Sequence, residues 1–400
     1  MVMSSNKSLF NLRSYGLLEF ILAIYFILLP YSIGNIGFEI INPFILLILC
    51  IIRTNLRFYP TTHAFRILVG YVLFQQIALC LVIGAVPSYH INSWLLLFIN
   101  LISIFIVIPA VNFQKLLNVF KLVTIIVIVG ELYHVALMMM GADITPIKIP
   151  FLPFNEHATR LTEIGSRPVS FFLEPSNLAQ FFIFPLFFSL YYKRFVYSGI
   201  IILAILLTTS TNGVVVAATM VLVYVLTQKV KTSRKILLSL AAIVFVFAYT
   251  NLSVFSSGRD KIESTDIEAT SRLVNGPTLV KSMPFDDLIF GFPAPNVDDY
   301  VSSGAISSAG LILGHNGNYY VSSFWLTIAK YGIIGMILFL LAYYSIYKKN
   351  HGLIIVLLPL FILKFSGGAM FNSATLVWTT FMFSFIEYEK NKETLNKQMQ

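Results

Sequence analysis

Residues 213–235 read GVVVAATMVLVYVLTQKVKTSRK, an apolar run that carries no charge until Lys229, Lys231, Arg234 and Lys235 arrive together. A stretch approaching the ~20 apolar residues needed to cross a ~30 Å hydrocarbon core, closed on one side by cations, has the signature of a membrane span ending in the cytoplasm. The same unit recurs outward in both directions. We read twelve spans, near 16–34, 36–52, 66–86, 93–111, 119–141, 170–192, 196–209, 213–228, 235–254, 318–347, 352–368 and 370–387. Composition agrees: of 400 residues 57% are hydrophobic and 11% charged, against roughly 25% charged in a soluble domain. A soluble protein is excluded, and the expected fold is an all-α polytopic bundle. The first apolar run is followed too soon by a second to be a cleaved leader, so it reads as a retained anchor.

Orientation follows from where the cations fall. With the N-terminus inside, one side receives Lys7, Arg13, Arg53, Arg57, Arg66, Lys115, Lys121, Lys193, Arg194, the four cations of 229–235, Lys348, Lys349, Lys390, Lys392 and Lys397, which is 18 of the 27 Lys and Arg. Both termini are therefore expected in the cytoplasm. The net charge of +9 reflects these inner turns and not a nucleic-acid surface. Residues 1–400 read as one integral membrane domain without an internal repeat. Two connections, 141–169 and 256–317, are too long and too polar to be turns, and the charge pattern places both outside. Long loops between tightly joined helices usually carry function. Cys50 and Cys80 lie in apolar runs and read as small buried hydrophobes.

Three constellations carry candidate chemistry. Residues 167–180 read RPVSFFLEPSNLAQ, with Arg167 at the mouth of the sixth span and Glu174 one to two turns inside it. A charge at that depth marks function or a buried pair, and an Arg167–Glu174 bridge two helical turns apart is the bland alternative. Arg272 lies in TSRLVNGPTLVKSMPFDDLIFGF, whose amphipathic stretch leads to Gly291. Its planar fork suits a phosphate, although a solvated loop arginine is the commoner case. His315, in GHNGNY at 314–319, is a candidate general base, or a bystander in a capping loop. The hydroxyl-rich turn Thr208–Gly213 reads as an ordinary helix connection. No histidine shows metal-ligand spacing, and no Walker or dinucleotide motif is present, so neither metal nor cofactor is expected.

In this order, the stretches Arg167 to Ser176, Arg272 to Gly291, and His315-Asn316 with Tyr319 running on to Gly335 resemble the Wzy-type O-antigen polymerase and ligase superfamily of bacterial envelope glycosyltransferases. The likeness covers about residues 140–340 and departs from the usual pattern at Ser282-Met283-Pro284, where a tryptophan is often found. The resemblance implies a GT-C-like fold in the bacterial inner membrane, with its site on the periplasmic face. It implies undecaprenyl-diphosphate-linked oligosaccharides as donor and acceptor, as in lipopolysaccharide biosynthesis, and leaves room for a chain-length regulator as partner. Arg272 and Arg167 would then face the diphosphate. His315 or Glu174 would take the acceptor proton, with His315 favoured, and Ser176, Asn316 and Tyr319 would contact substrate. A ligase acting on a lipid A core and a lipid-linked sugar flippase are the competing readings.

Overall fold

The structure, a computed structural model, describes residues 16–33, 36–54, 57–83, 88–154, 167–227, 267–292, 297–302, 304, 306–313, 317–363 and 373–398. Helix dominates these residues. The expected span 235–254 lies outside them, as do His315 and Asn316. The helices are α1 (Leu17–Leu28), α2 (Phe38–Thr54), α3 (His63–Ile83), α4 (Ser88–Ala110), α5 (Phe113–Met139), α6 (Pro175–Phe181), α7 (Ile183–Tyr191), α8 (Phe195–Leu207) and α9 (Thr211–Thr227). They continue as α10 (Ile267–Ser282), α11 (Phe285–Phe290), α12 (Val297–Ser302), α13 (Ser323–Lys349), α14 (Ile354–Leu363) and α15 (Ser373–Gln398). A hairpin joins α1 to α2, pairing Ser32 with Gly37 and Ile33 with Ile36.

Two described helices, α5 and α13, are each 27 residues long and apolar enough to cross a membrane, at about 40 Å of rise against a ~30 Å core. Shorter apolar helices include Leu17–Leu28, Leu95–Ala110, Phe195–Leu207 and Thr211–Thr227. Both long helices turn bulky apolar residues outward, Ile126, Val129 and Leu132 on α5 and Ile337, Leu340 and Leu341 on α13. Rows of this kind suit lipid and are unusual on a water-facing surface.

The chain divides into two compact units. One comprises Met1–Tyr59, Ile102–Gly213 and Leu376–Gln400; the other comprises Pro60–Leu101 and Val214–Thr375. The first unit is packed with aromatic rings from α5, α6, α7 and α15. Phe381 meets Phe120 edge-on at 4.5 Å and Phe184 at 4.7 Å between centroids, while Phe385 meets Phe187 at 5.3 Å and Tyr191 at 4.9 Å. Each such pair adds about 0.5–1.5 kcal/mol beyond burial. Spacing by four places Phe184 with Phe188, and Phe381 with Phe385, on one helix face each. Elsewhere in this unit the buried Glu19 carboxylate accepts from Arg53 Nη1 and from the Asn112 backbone, both at 2.7 Å.

In the second unit α13 packs along α3 and carries α10 and α11. The segment from 267 to 306 is thus partly helical in its described residues and has a small core of Leu279, Met283, Val297, Tyr300 and Ile306 against Ala329 of α13. Phe292 stacks on Tyr300 at 4.0 Å, and the Tyr300 hydroxyl donates to Asp287 at 2.9 Å. Burial, reinforced by that carboxylate, raises the Tyr300 phenol far above its ordinary value. It stays a donor at every physiological pH.

Two expected spans are corrected. The sixth does not begin at 170: Ser170 to Glu174 is irregular chain and helix starts only at Pro175. Proline disfavours helix at the preceding residue and fits the first helical position, where its missing N–H costs nothing. The same span is broken at Phe182 because Pro185 cannot donate to the carbonyl of Phe181 four residues back. The tenth span begins at Ser323 and is interrupted at Gly332, whose φ of 67° and ψ of −178° lie outside helix.

Candidate active site

In the first unit the site residues gather around the segment 167–176. Glu174 is the N-cap of α6, with extended φ and ψ of −138° and 149°. It therefore sits at the mouth of the helix, not one to two turns inside as its spacing implied. The Ser176 hydroxyl donates to Glu174 Oε2 at 3.0 Å, so these two candidates do meet. Arg167 is not two helical turns from Glu174, since the chain between them is not helical. Its guanidinium donates from Nε to Thr209 Oγ1 and from Nη2 to the Thr209 carbonyl, each at 2.9 Å. The turn Thr208–Ser210, read from sequence as an ordinary connection, is buried and holds this arginine. Ser170 and Thr209 both adopt left-handed φ, 51° and 53°. Such strain in non-glycine residues concentrates at functional sites.

Sequence reading weighed His134 on α5 only for metal-ligand spacing and did not single out Glu131; both are fully buried. His134 Nδ1 accepts from the backbone N–H of Val169 at 3.2 Å and of Ser170 at 3.0 Å. Ser170 Oγ donates to the Val127 carbonyl at 2.9 Å. Gly130 lies beneath, where a Cβ would come within 2.6 Å of that hydroxyl. A Glu and a His three residues apart in a 27-residue apolar helix was the available signal, because ionisable groups at that depth are rare without a role.

In the second unit Arg272 belongs to α10, at a position whose side chain is outside the described structure. Its helix is anchored by Asn275, a residue sequence reading did not single out. Asn275 Oδ1 accepts from Ile312 N–H at 2.7 Å, and its Nδ2 donates to the carbonyls of Ile312 at 2.8 Å and Tyr320 at 3.1 Å. One amide on the arginine's helix thus ties both shoulders of the stretch that bears His315 and Asn316. Gly276 admits Trp325 so closely that a Cβ would clash with its ring. Tyr319 is half-buried, its N–H donating to Asp298 Oδ1 at 2.8 Å.

The same unit contains a backbone crossing. Gly291, with φ of 87°, and Gly332 abut so tightly that a Cβ on Gly291 would lie 2.3 Å from the Lys330 carbonyl oxygen, and one on Gly332 would lie 2.0 Å from that of Ile289. Phe292 N–H donates to Ala329 O at 2.7 Å. The carbonyls freed by the break are met from α3. Gln75 Nε2 donates to Phe290 O at 2.7 Å and Lys330 O at 2.6 Å, and the Tyr71 hydroxyl reaches Phe290 O at 3.1 Å and Tyr331 O at 2.9 Å. Four residues apart on one helix, Tyr71 and Gln75 share a face.

A cavity of about 470 Å³ lies elsewhere in the first unit, lined by residues such as Tyr59, Gln114, Glu387 and Tyr388. It opens beside the start of α5, about 25 Å along that helix from Gly130, and includes none of the candidate residues.

No curated protein and no solved structure matches the chain. A family model described as WcaD colanic acid polymerase matches residues 17–385, nearly the whole chain and every candidate site residue. Of the three functions weighed from sequence, that match supports the polymerase. Rich in apolar helices, with two of its apolar segments interrupted, the chain belongs to the WcaD colanic acid polymerase family of polysaccharide polymerases.

Proposed function

We propose that the chain extends an envelope polysaccharide by transferring a glycan from a polyprenyl diphosphate, undecaprenyl diphosphate in a bacterium, to a lipid-linked repeat unit at the outer face of the cytoplasmic membrane. The reading includes a twelve-span, GT-C-like single membrane domain with both termini inside and with 141–169 and 256–317 outside. Arg272 and Arg167 take the diphosphate. As the bond from anomeric carbon to phosphate oxygen breaks, the electron pair leaves with the lipid diphosphate, and a fixed guanidinium stabilises that charge without a metal or cofactor. The acceptor hydroxyl attacks the same carbon while His315 takes its proton. Glu174 and Ser176, already bonded to each other, orient acceptor hydroxyls, and Asn316 and Tyr319 contact the glycan. A chain-length regulator would act on this cycle from outside the chain.

The observation that carries this reading is the Asn275 clamp. It draws the helix of the phosphate-binding arginine against both flanks of the segment holding the base, and a general base and a charge clamp must share one reacting centre. The test is a reaction of purified full-length protein with synthetic lipid-diphosphate repeat units in the absence of added metal, read as a glycan ladder. Wild type should give a ladder that Arg272→Ala reduces by about 10²–10³-fold, the usual effect of removing one such stabilising group. A folded wild type without a ladder, or an unchanged ladder in the variant, overturns the reading. For orientation, a single cysteine at Ser303 should react with impermeant reagents on intact cells.

A further inference from the structure

We propose that His134 is a positioning residue for the transfer, holding the segment from Arg167 to Glu174 in its reactive shape. The inference rests on the polymerase reading for what that segment does, but on geometry for how it is held. Val169 and Ser170 turn two successive N–H groups toward one imidazole nitrogen, at 3.2 and 3.0 Å. An acceptor there must carry a lone pair, so Nδ1 is unprotonated. Two converging amides ordinarily mark an anion or carbonyl site; here a side chain of α5 fills it. The turn it stabilises needs the help, because Ser170 has a left-handed φ of 51°. A conformation of that kind costs on the order of 1 kcal/mol or more and persists only where its surroundings impose it.

The bland explanation is that His134 merely completes the packing of a buried loop. Its surroundings argue otherwise. Nε2 of His134 and both carboxylate oxygens of Glu131, one turn earlier on the same helix, are buried without a hydrogen-bond partner. Packing alone would favour apolar side chains at both positions, since unsatisfied buried polar atoms are destabilising. What the histidine does accomplish is local. From Ser170 the chain reaches Glu174 in four residues, and from Val169 it returns to Arg167 in two, with Thr209 fixing the arginine at its far end. His134 thus stands at the midpoint of the only stretch in this unit that carries sequence-predicted site residues.

The experiment uses full-length protein in lipid nanodiscs and two readouts. Hydrogen exchange follows the peptide containing Val169 and Ser170; turnover follows the glycan ladder. In His134→Ala, exchange of that peptide should quicken and turnover should fall, each by about tenfold, the factor corresponding to one lost hydrogen bond of ordinary strength. His134→Asn, whose Oδ1 takes the place of Nδ1, should bring both back to within about threefold of wild type, a residual well under one such bond. Gly130→Ala, which pushes on Ser170 from below while leaving the histidine intact, should reproduce the defects. That variant and His134→Asn keep the test decisive if His134→Ala does not accumulate. Unchanged exchange in His134→Ala overturns the proposal, as does faster exchange with full turnover. Restored exchange without restored turnover in His134→Asn also overturns it, because the imidazole would then act on substrate directly. A wild type that makes no ladder sinks the polymerase reading instead, and the exchange data still judge whether His134 holds the segment.

Discussion

The two irregular regions of this protein solve opposite halves of one problem. Around Ser170 the chain approaches a helix N-terminus, and the unpaired groups are donors, the N–H of Val169 and Ser170, met by one acceptor on α5. At the Gly291–Gly332 crossing a helix is cut and the unpaired groups are carbonyls, met by the donors of Tyr71 and Gln75 on α3. Where water is excluded, backbone groups freed from a helix need partners inside the protein. The difference lies in the repair. The crossing depends on two residues that lack a Cβ and on donors that do not titrate near neutrality. The Ser170 turn depends on a histidine and on strained residues that do have side chains. The first arrangement is built to be permanent, and in the second one imidazole accepts from two backbone groups of the segment that carries the candidates Arg167 and Glu174.

That contrast can be broken most severely at the crossing. Gly332→Ala forces a Cβ to within 2.0 Å of a carbonyl at a φ that L-residues avoid. We expect a loss of about 3–5 kcal/mol, read as failure to accumulate in the membrane, and wild-type abundance with a normal melting temperature would refute the structural role. Gln75→Leu removes a donor from the Lys330 carbonyl and leaves that of Phe290 to Tyr71, and should cost about 2 kcal/mol in stability, with Gln75→Glu worse because it sets an acceptor against acceptors; equal melting of both variants and wild type would refute the pairing. On the other side, Arg167→Lys loses the two-pronged contact with Thr209 and should lower polymerisation by roughly tenfold, with little change in melting. If melting falls and polymerisation holds, the arginine is structural. Ser170→Gly relieves the left-handed strain but gives up the bond to Val127, so the two should nearly cancel, within about 0.5 kcal/mol. A large shift in either direction would show that the turn is held by one of them alone.

Much of this was legible in the chain. Apolar runs of span length announced a helical membrane protein, because the bilayer imposes one dimension that sequence must meet. The family resemblance drew attention to Arg167, Glu174, Arg272 and Gly291, and the crossing at Gly291 lies on a stretch that had been singled out. Partnership was not legible. Asn275, Tyr71, Gln75 and Thr209 are ordinary residues in ordinary helices and turns, and nothing in their local spacing says which distant backbone group they serve. Glu174 was misplaced by several residues because apolarity marks a span's extent, while the first helical hydrogen bond depends on Pro175. His134 was weighed only for metal-ligand spacing, and its true partners lie 35 and 36 positions away.

Sequence by itself determined the solvent this protein lives in, the helical response to it and the few charged residues that interrupt its apolar runs. These are properties of composition and short-range periodicity, set by the cost of exposing backbone and charge to hydrocarbon. Tertiary structure alone decided which side chains satisfy the groups that breaks in the spans release. Those choices are contacts between segments far apart in the chain, and their energies exist only once α5 lies beneath Ser170, α3 beside Gly332, and α10 against the flanks of 313–319.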